Sequence, residues 1–349
     1  MRTRGWLAAV LVAVTVTAGV VVSAGVAQAA TSAVVAKDGS GNYTTVQAAV
    51  NAVPANNSSR FTITVKAGTY KEPITIPSNK PFISLIGATG NPADVVITFD
   101  RASGTLKPDG TPYGTSGSAS VTINAHDFVA QYVTFANGFN EAGHPEIANK
   151  QAVAVNVNAD RETFDQVRFL GNQDTLLLWS ASTATRTRSY FRSCYVEGDV
   201  DFIFGRGTAV FDRCTIRSLT RGSSSNNGYV TAAATTNTNP YGILFFQATL
   251  TSNAPAGTVY LGRPWHPSGD VNAIAQVVYR ECTLGAHIKS APWTDMSGFS
   301  WKAARFFEYR STGAGSGVNS NRPQLSDAQA PSYTRQTYLA GSDGWNPVH

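Results

Sequence analysis

The sequence predicts an all-β protein wound as a right-handed parallel β-helix, and three observations carry that reading. A six-residue pattern recurs through the chain: FDQVRF from Phe164, FRSCYV from Phe191, FDRCTI from Phe211, FFQATL from Phe245 and YRECTL from Tyr279. Only 14% of residues are charged while Ser, Thr, Asn and Gly are plentiful, a balance that suits an extracellular β-rich protein better than a helical one. Hairpin-forming Asn-Gly and Asp-Gly pairs fall mostly outside the repeats, which argues against a β-sandwich.

Taken in chain order, the first element is a leader. Arg2 and Arg4 precede an apolar run that ends at Ala27, Gln28, Ala29, the small-residue pattern of a cleavable secretory signal over residues 1–29. A retained membrane anchor is the alternative, and the cleavage pattern favours removal. The protein is therefore expected to be secreted, with a single catalytic domain over 30–349 and no membrane association once the leader is gone. Without Arg2 and Arg4 the chain carries 25 basic against 22 acidic side chains, a mild excess compatible with a polyanionic substrate. No basic run of the kind that binds nucleic acid is present.

Next comes NYTTVQAAVNAVP, where Thr44 or Thr45 can cap a helix whose apolar residues Val46, Ala49, Val50 and Val53 share a face and which Pro54 stops. This short helix is expected to cap the first coil. In the repeats that follow, the fourth positions are Val167, Cys194, Cys214, Ala248 and Cys282, with Val133 of VAQYVTF in a weaker earlier copy. Read as strands with period-2 alternation, such copies cannot bury their apolar face alone and must stack on one another. Stacking sets Cys194 and Cys214 in one column on neighbouring turns, about 4.8 Å apart and within the Cα range of a disulfide, so a Cys194–Cys214 bridge is predicted. Cys282 is expected to be a buried free thiol. The C-terminal SDAQAPSYTRQTYLAG mixes helix and loop signals and reads as a tail laid along the solenoid.

The column also organises the acids. Asp174 lies seven residues after Val167, and Asp201 seven residues after Cys194. Turns stacked in register would bring the two carboxylates face to face across about one strand spacing. Such a pair repels, so it needs a cation, a shared proton or a function to compensate. A lone aspartate in an apolar strand is more often structural; an in-register pair points to a working site.

These residues sit in blocks that resemble the pectin methylesterases, the pectinesterase family of carbohydrate esterases: GNYTTVQAAVNAVP, AGTYKEPITIP, QAVAVNV, GNQDTLL, GDVDFIFGRGTAVF and YLGRPW, in that order. The resemblance implies a β-helix, as the repeat does independently, and hydrolysis of the methyl esters of galacturonate in pectin. It implies that Asp201 is the nucleophile, Asp174 the general acid and then base, Gln151 and Gln173 the amide donors to the oxyanion, and Arg263 the cation that orients Asp201. Trp265, Phe204, Val200, Arg221, Thr115 and Met296 are implied to line the sugar subsites, with Arg221 available to a free galacturonate carboxylate.

Each residue has a plainer reading: the glutamines as ladders between coils, Arg263 as a surface cation, Trp265 as core. The chain also departs from its relatives. Leu177 stands where many of them carry Tyr after QDTL, and SASTATRTRS lengthens the segment between the two acids.

Other β-helix enzymes of pectin are the nearest rivals. An inverting polygalacturonase would hold its acids roughly 6.5–9.5 Å apart around a water, and its Asn-Thr-Asp and Arg-Ile-Lys elements are missing. A lyase would require a calcium site of clustered carboxylates. A solenoid that only binds carbohydrate would not need the acids, amides and arginine together, and a serine esterase would show a G-x-S-x-G elbow. No metal or organic cofactor is expected, and the expected form is a monomer.

Overall fold

The computed structural model describes Met1 and residues 31–348, so the expected leader falls outside the described residues. From Ser32 onward the chain winds into three parallel sheets of ten, eight and seven strands, the central turns contributing one strand to each sheet. This is a parallel β-helix. The strands are short and apolar on the inward face, as strands sealed between neighbouring turns must be.

The sequence pattern is carried into space as a column of rings. Phe164 is in register with Phe191, Phe191 with Phe211, Phe211 with Phe245, and Phe245 with Tyr279. Their centroids lie 4.7, 4.5, 5.0 and 4.5 Å apart with near-parallel planes. All five are fully buried, and such contacts are worth about 0.5–1.5 kcal/mol each beyond burial of their area.

Each copy of the pattern, however, is not one straight strand. Its third residue adopts a left-handed conformation: φ is 53° at Gln166, 50° at Ser193, 53° at Arg213, 52° at Gln247 and 57° at Glu281. The chain turns a corner there, which explains why the first, fourth and sixth positions all point inward instead of alternating. Left-handed non-glycine residues cost about 1 kcal/mol or more. Here the corner keeps its backbone paired: Gln166, Ser193, Arg213 and Gln247 donate to Arg192, Asp212, Phe246 and Arg280 of the next turn at 2.9–3.0 Å.

The same corner corrects the disulfide. Cys194 and Cys214 occupy one column, yet both are free and buried, as is Cys282. Side chains stacked in register point the same way, so their Cβ atoms stay about one rung, 4.8 Å, apart, whereas a disulfide draws them to about 3.8 Å. Each thiol instead donates to a carbonyl of the turn before it, Cys194 to Phe164 and Cys214 to Phe191, both at 3.4 Å. Burial pushes the Cys214 thiol well above its ordinary value and that of Cys282 up to about 12.

At the N-terminal end the helix Val46–Ala52 is capped by Thr45, whose hydroxyl accepts from the Ala48 amide at 3.2 Å. Glu72 takes the Val46 and Gln47 amides at 2.8 and 3.1 Å, so the first turn has few orphan donors. Val46, Ala49 and Val50 join the core. At the other end the helix Arg335–Leu339 buries Tyr338 and Leu339 against Tyr190, Val210, Leu244 and Val278, the outward residues of the ten-stranded sheet. Among the described residues no helix is long and apolar enough to cross a membrane.

Candidate active site

The seven-stranded sheet carries the acids. Asp174 lies two residues before the strand Leu176–Leu178, and Asp201 lies in Val200–Gly205; the two strands pair in register, Leu176 against Ile203. Asp174 donates its backbone amide to the Val200 carbonyl at 3.0 Å. The offset of 27 residues that relates the strands also relates the acids, so the stacking expected from the repeat column holds on this sheet too.

What turns Asp201 out of an otherwise buried strand is a local irregularity. The register with the next strand slips between Val200 and Ile203, and Asp201 has φ of 52°. A bulge of this kind re-aims one side chain while the strand continues. Phe202 and Ile203 go into the core, whereas Asp201 and Phe204 face a cleft. Asp174 is also left-handed, with φ of 67°, a conformation aspartate adopts more readily than most residues.

Arg263 comes from the strand Val259–Pro264, two turns beyond Asp201. Its Nε and Nη2 donate to the two oxygens of Asp201 at 2.8 and 2.6 Å, a bidentate pair. The guanidinium rests on Tyr229 of the intervening turn, 3.8 Å from the ring centroid, and Tyr229 in turn stacks on Tyr260. Ala232, in register with both Phe204 and Arg263, presents only a methyl group to the cleft, which leaves that side open.

The two carboxyls differ in proton affinity. Burial raises Asp174 well above the ordinary aspartate range, and the charge of Asp201 raises it further against the pull of Arg263. Burial also raises Asp201, but there the hydrogen bonds and charge of Arg263 oppose it directly. Desolvation is the larger influence on both, and the arginine makes the pair unequal: Asp201 ionises first while Asp174 keeps its proton.

The cleft has an open volume of ≈ 330 Å³ and gathers most of the sequence-derived set: Gln151, Gln173, Asp174, Asp201, Arg263, Trp265, Phe204, Thr115 and Met296 all line it. Gln151 and Gln173 make no side-chain hydrogen bond among the described residues, and the Gln151 Oε1 atom is buried without a partner, so neither amide serves as a ladder between coils. Trp265 stands against Phe204 at 5.7 Å and against Trp179 at 5.6 Å, at the cleft and not in the core.

Two expected residues lie elsewhere. Val200 is half-buried at the start of its strand and does not line this cleft. Arg221 lines a separate groove with Glu141, Lys150 and Asp199, and pairs with Asp199 at 3.1 Å. Trp179, Ser116, Ala232 and Tyr229 were not anticipated; Trp179 lies one residue past the GNQDTLL block and its neighbouring Leu178, where no sequence pattern marks it.

Two neighbouring carboxyls, one held by an arginine, in the groove of a parallel β-helix fit the class of β-helical hydrolases. The pectinesterase family model matches residues 32–342. Pectinesterase A of Dickeya chrysanthemi is 37% identical to the chain, covering 92% of this chain and 94% of its own length. Pectin methylesterase PemA of Erwinia chrysanthemi superposes with a TM-score of 0.83 at 37% identity, over 90% of this chain and 98% of that one. A pectin methylesterase in complex with a hexasaccharide superposes with a TM-score of 0.82 at 37% identity, over 91% and 98% of the two chains. The chain belongs to the pectinesterase family and is a carboxylic ester hydrolase.

Proposed function

We propose that the protein removes the C6 methyl esters of galacturonate units in pectin through an aspartyl acyl-enzyme. The ionised Asp201 attacks the ester carbonyl, forming a bond from its carboxylate oxygen to C6. The oxyanion accepts hydrogen bonds from the side-chain amides of Gln151 and Gln173, each donor being worth roughly 3 kcal/mol in such a site. Collapse expels the methoxy group, and Asp174 gives it a proton, so methanol leaves. The resulting Asp174 carboxylate then takes a proton from water, whose oxygen attacks the acyl carbon and frees Asp201 and the galacturonate carboxylate.

The observation that carries this reading is the unequal acid pair. A carboxylate nucleophile must be ionised and fixed, which the bidentate Arg263 contact supplies; an acid for the leaving group must begin protonated, which burial beside Asp201 supplies. A relative that binds a hexasaccharide supports a sugar chain as the occupant of this cleft. Arg221 lies beyond the cleft proper and would meet the polymer where it runs past the Asp199 groove, next to which Val200 begins its strand. The protein is further proposed to act outside the cell, where its polymer is found.

Methanol release from methylated pectin by the protein and by Asp201→Asn, with polymer length followed in parallel, tests the proposal. Release by the first alone, with chain length unchanged, is expected. Full activity in Asp201→Asn removes the nucleophile assignment, and a shortened polymer favours a depolymerase.

A further inference from the structure

The cleft does not end at Trp265. Its aromatic wall continues to Trp179, and over Trp179 sits Arg206, with its guanidinium carbon 3.7 Å from the ring centroid. Arg206 follows Gly205, the last residue of the strand that carries Asp201, so it is fixed to the same turn as the nucleophile. Beyond it the surface drops into a notch of ≈ 70 Å³ lined by Arg206, Arg186, Thr185, Thr238 and Asn239 among others, with no acid in its wall. Arg186 and Thr185 belong to SASTATRTRS, the lengthened segment between the two catalytic acids.

Arg206 is half-buried, yet among the described residues it makes neither an ion pair nor a side-chain hydrogen bond. The acid that faces it is Asp270, which acts only through space and falls short of ion-pair distance. Arg221 offers the contrast, since Asp199 already occupies it. A guanidinium held flush to an aromatic ring, with its planar fork of donors unspent, is suited to a carboxylate. The notch is too small for a sugar ring and large enough for that one group.

We infer that Arg206 on Trp179, with Arg186 at the rim, is a specificity-determining subsite that receives the C6 carboxylate of an already de-esterified galacturonate unit while its ring lies in the cleft beside Trp179. The inference rests on the reading of the cleft as a pectin site. It makes the enzyme favour chains that carry a free acid on the Trp179 side of the ester being cleaved.

The test compares Arg206→Gln, Arg206→Lys and Arg186→Gln with the unaltered protein on two substrates, fully methylated and partly de-esterified oligogalacturonate. Removing the charge at 206 should raise KM for the partly de-esterified substrate about five-fold, leave kcat unchanged and leave the fully methylated substrate unaffected. The lysine variant should recover part of the loss, and Arg186→Gln, at an exposed position, should give a smaller loss of the same kind. Equal changes on both substrates, or none, overturn the inference and leave Arg206 as a support for Trp179. Calorimetric titration with fully de-esterified oligogalacturonate separates this from the proposed function: weaker binding to Arg206→Gln is expected whether or not methanol is released, and equal binding overturns the subsite alone.

Discussion

The ten-stranded and seven-stranded sheets are built by the same turns, yet in-register stacking has opposite consequences in them. Along the first, the inward column places like on like, Phe191 between Phe164 and Phe211, and its contacts are apolar. Along the second it places Asp201 beside Asp174, two groups that repel, and then recruits Arg263 from two turns away. Stacking is therefore a neutral device. It stabilises where the column is hydrocarbon and stores unfavourable electrostatics where the column is acidic, and the aromatic side of each turn is what lets the cleft side carry that load.

The comparison can be broken at either end. Asp201→Asn should lower the rate of methanol release about 10³–10⁴-fold in a protein that still folds, since it deletes the nucleophile and keeps the shape. Phe191→Ala should do the reverse: a loss of about 3–5 kcal/mol in denaturant unfolding, with kcat on pectin nearly preserved wherever the protein remains folded. Arg263→Gln should cost about 100-fold in kcat and move the acid limb of the pH profile upward. The direction follows from the pair: Arg263 opposes the burial of Asp201, activity needs Asp201 ionised, and without the guanidinium ionisation requires a higher pH. The smallest change in stability is expected from Asp174→Asn, an inactive variant more stable at neutral pH by about 1 kcal/mol, or about 2 °C in Tm. Folded Asp174 holds a proton that the unfolded chain has released, so the unaltered protein loses stability as pH rises from the ordinary aspartate range through the raised value. The advantage of asparagine should therefore vanish near pH 3 and grow as pH rises from the ordinary aspartate range through the raised Asp174 value.

Much of this was legible in the sequence because it is a matter of spacing. The shared offset between Val167 and Cys194 and between Asp174 and Asp201 is a register, and a parallel solenoid preserves registers. Arg263, two turns away, was legible only through the resemblance of YLGRPW, since nothing in its spacing points to Asp201. The corners were hidden: Gln166, Ser193, Arg213, Gln247 and Glu281 share a left-handed backbone without sharing chemistry, and none is the glycine that usually signals it. The disulfide failed for a related reason, because sequence columns give Cα spacing and say nothing of whether two Cβ bonds converge. Trp179 and Arg206 are related by the same offset of 27 residues as the two acids, one position beyond Leu178 and Gly205, so the register that stacks the strands also stacks this pair.

Those unjoined thiols reach beyond the column they occupy. All three cysteines of the chain are shut inside and uncrosslinked, so no covalent tie fixes the order of the coils. Folding of this protein is thereby independent of thiol oxidases and disulfide isomerases, and the finished molecule offers no accessible thiol to reductants, metals or mixed-disulfide partners.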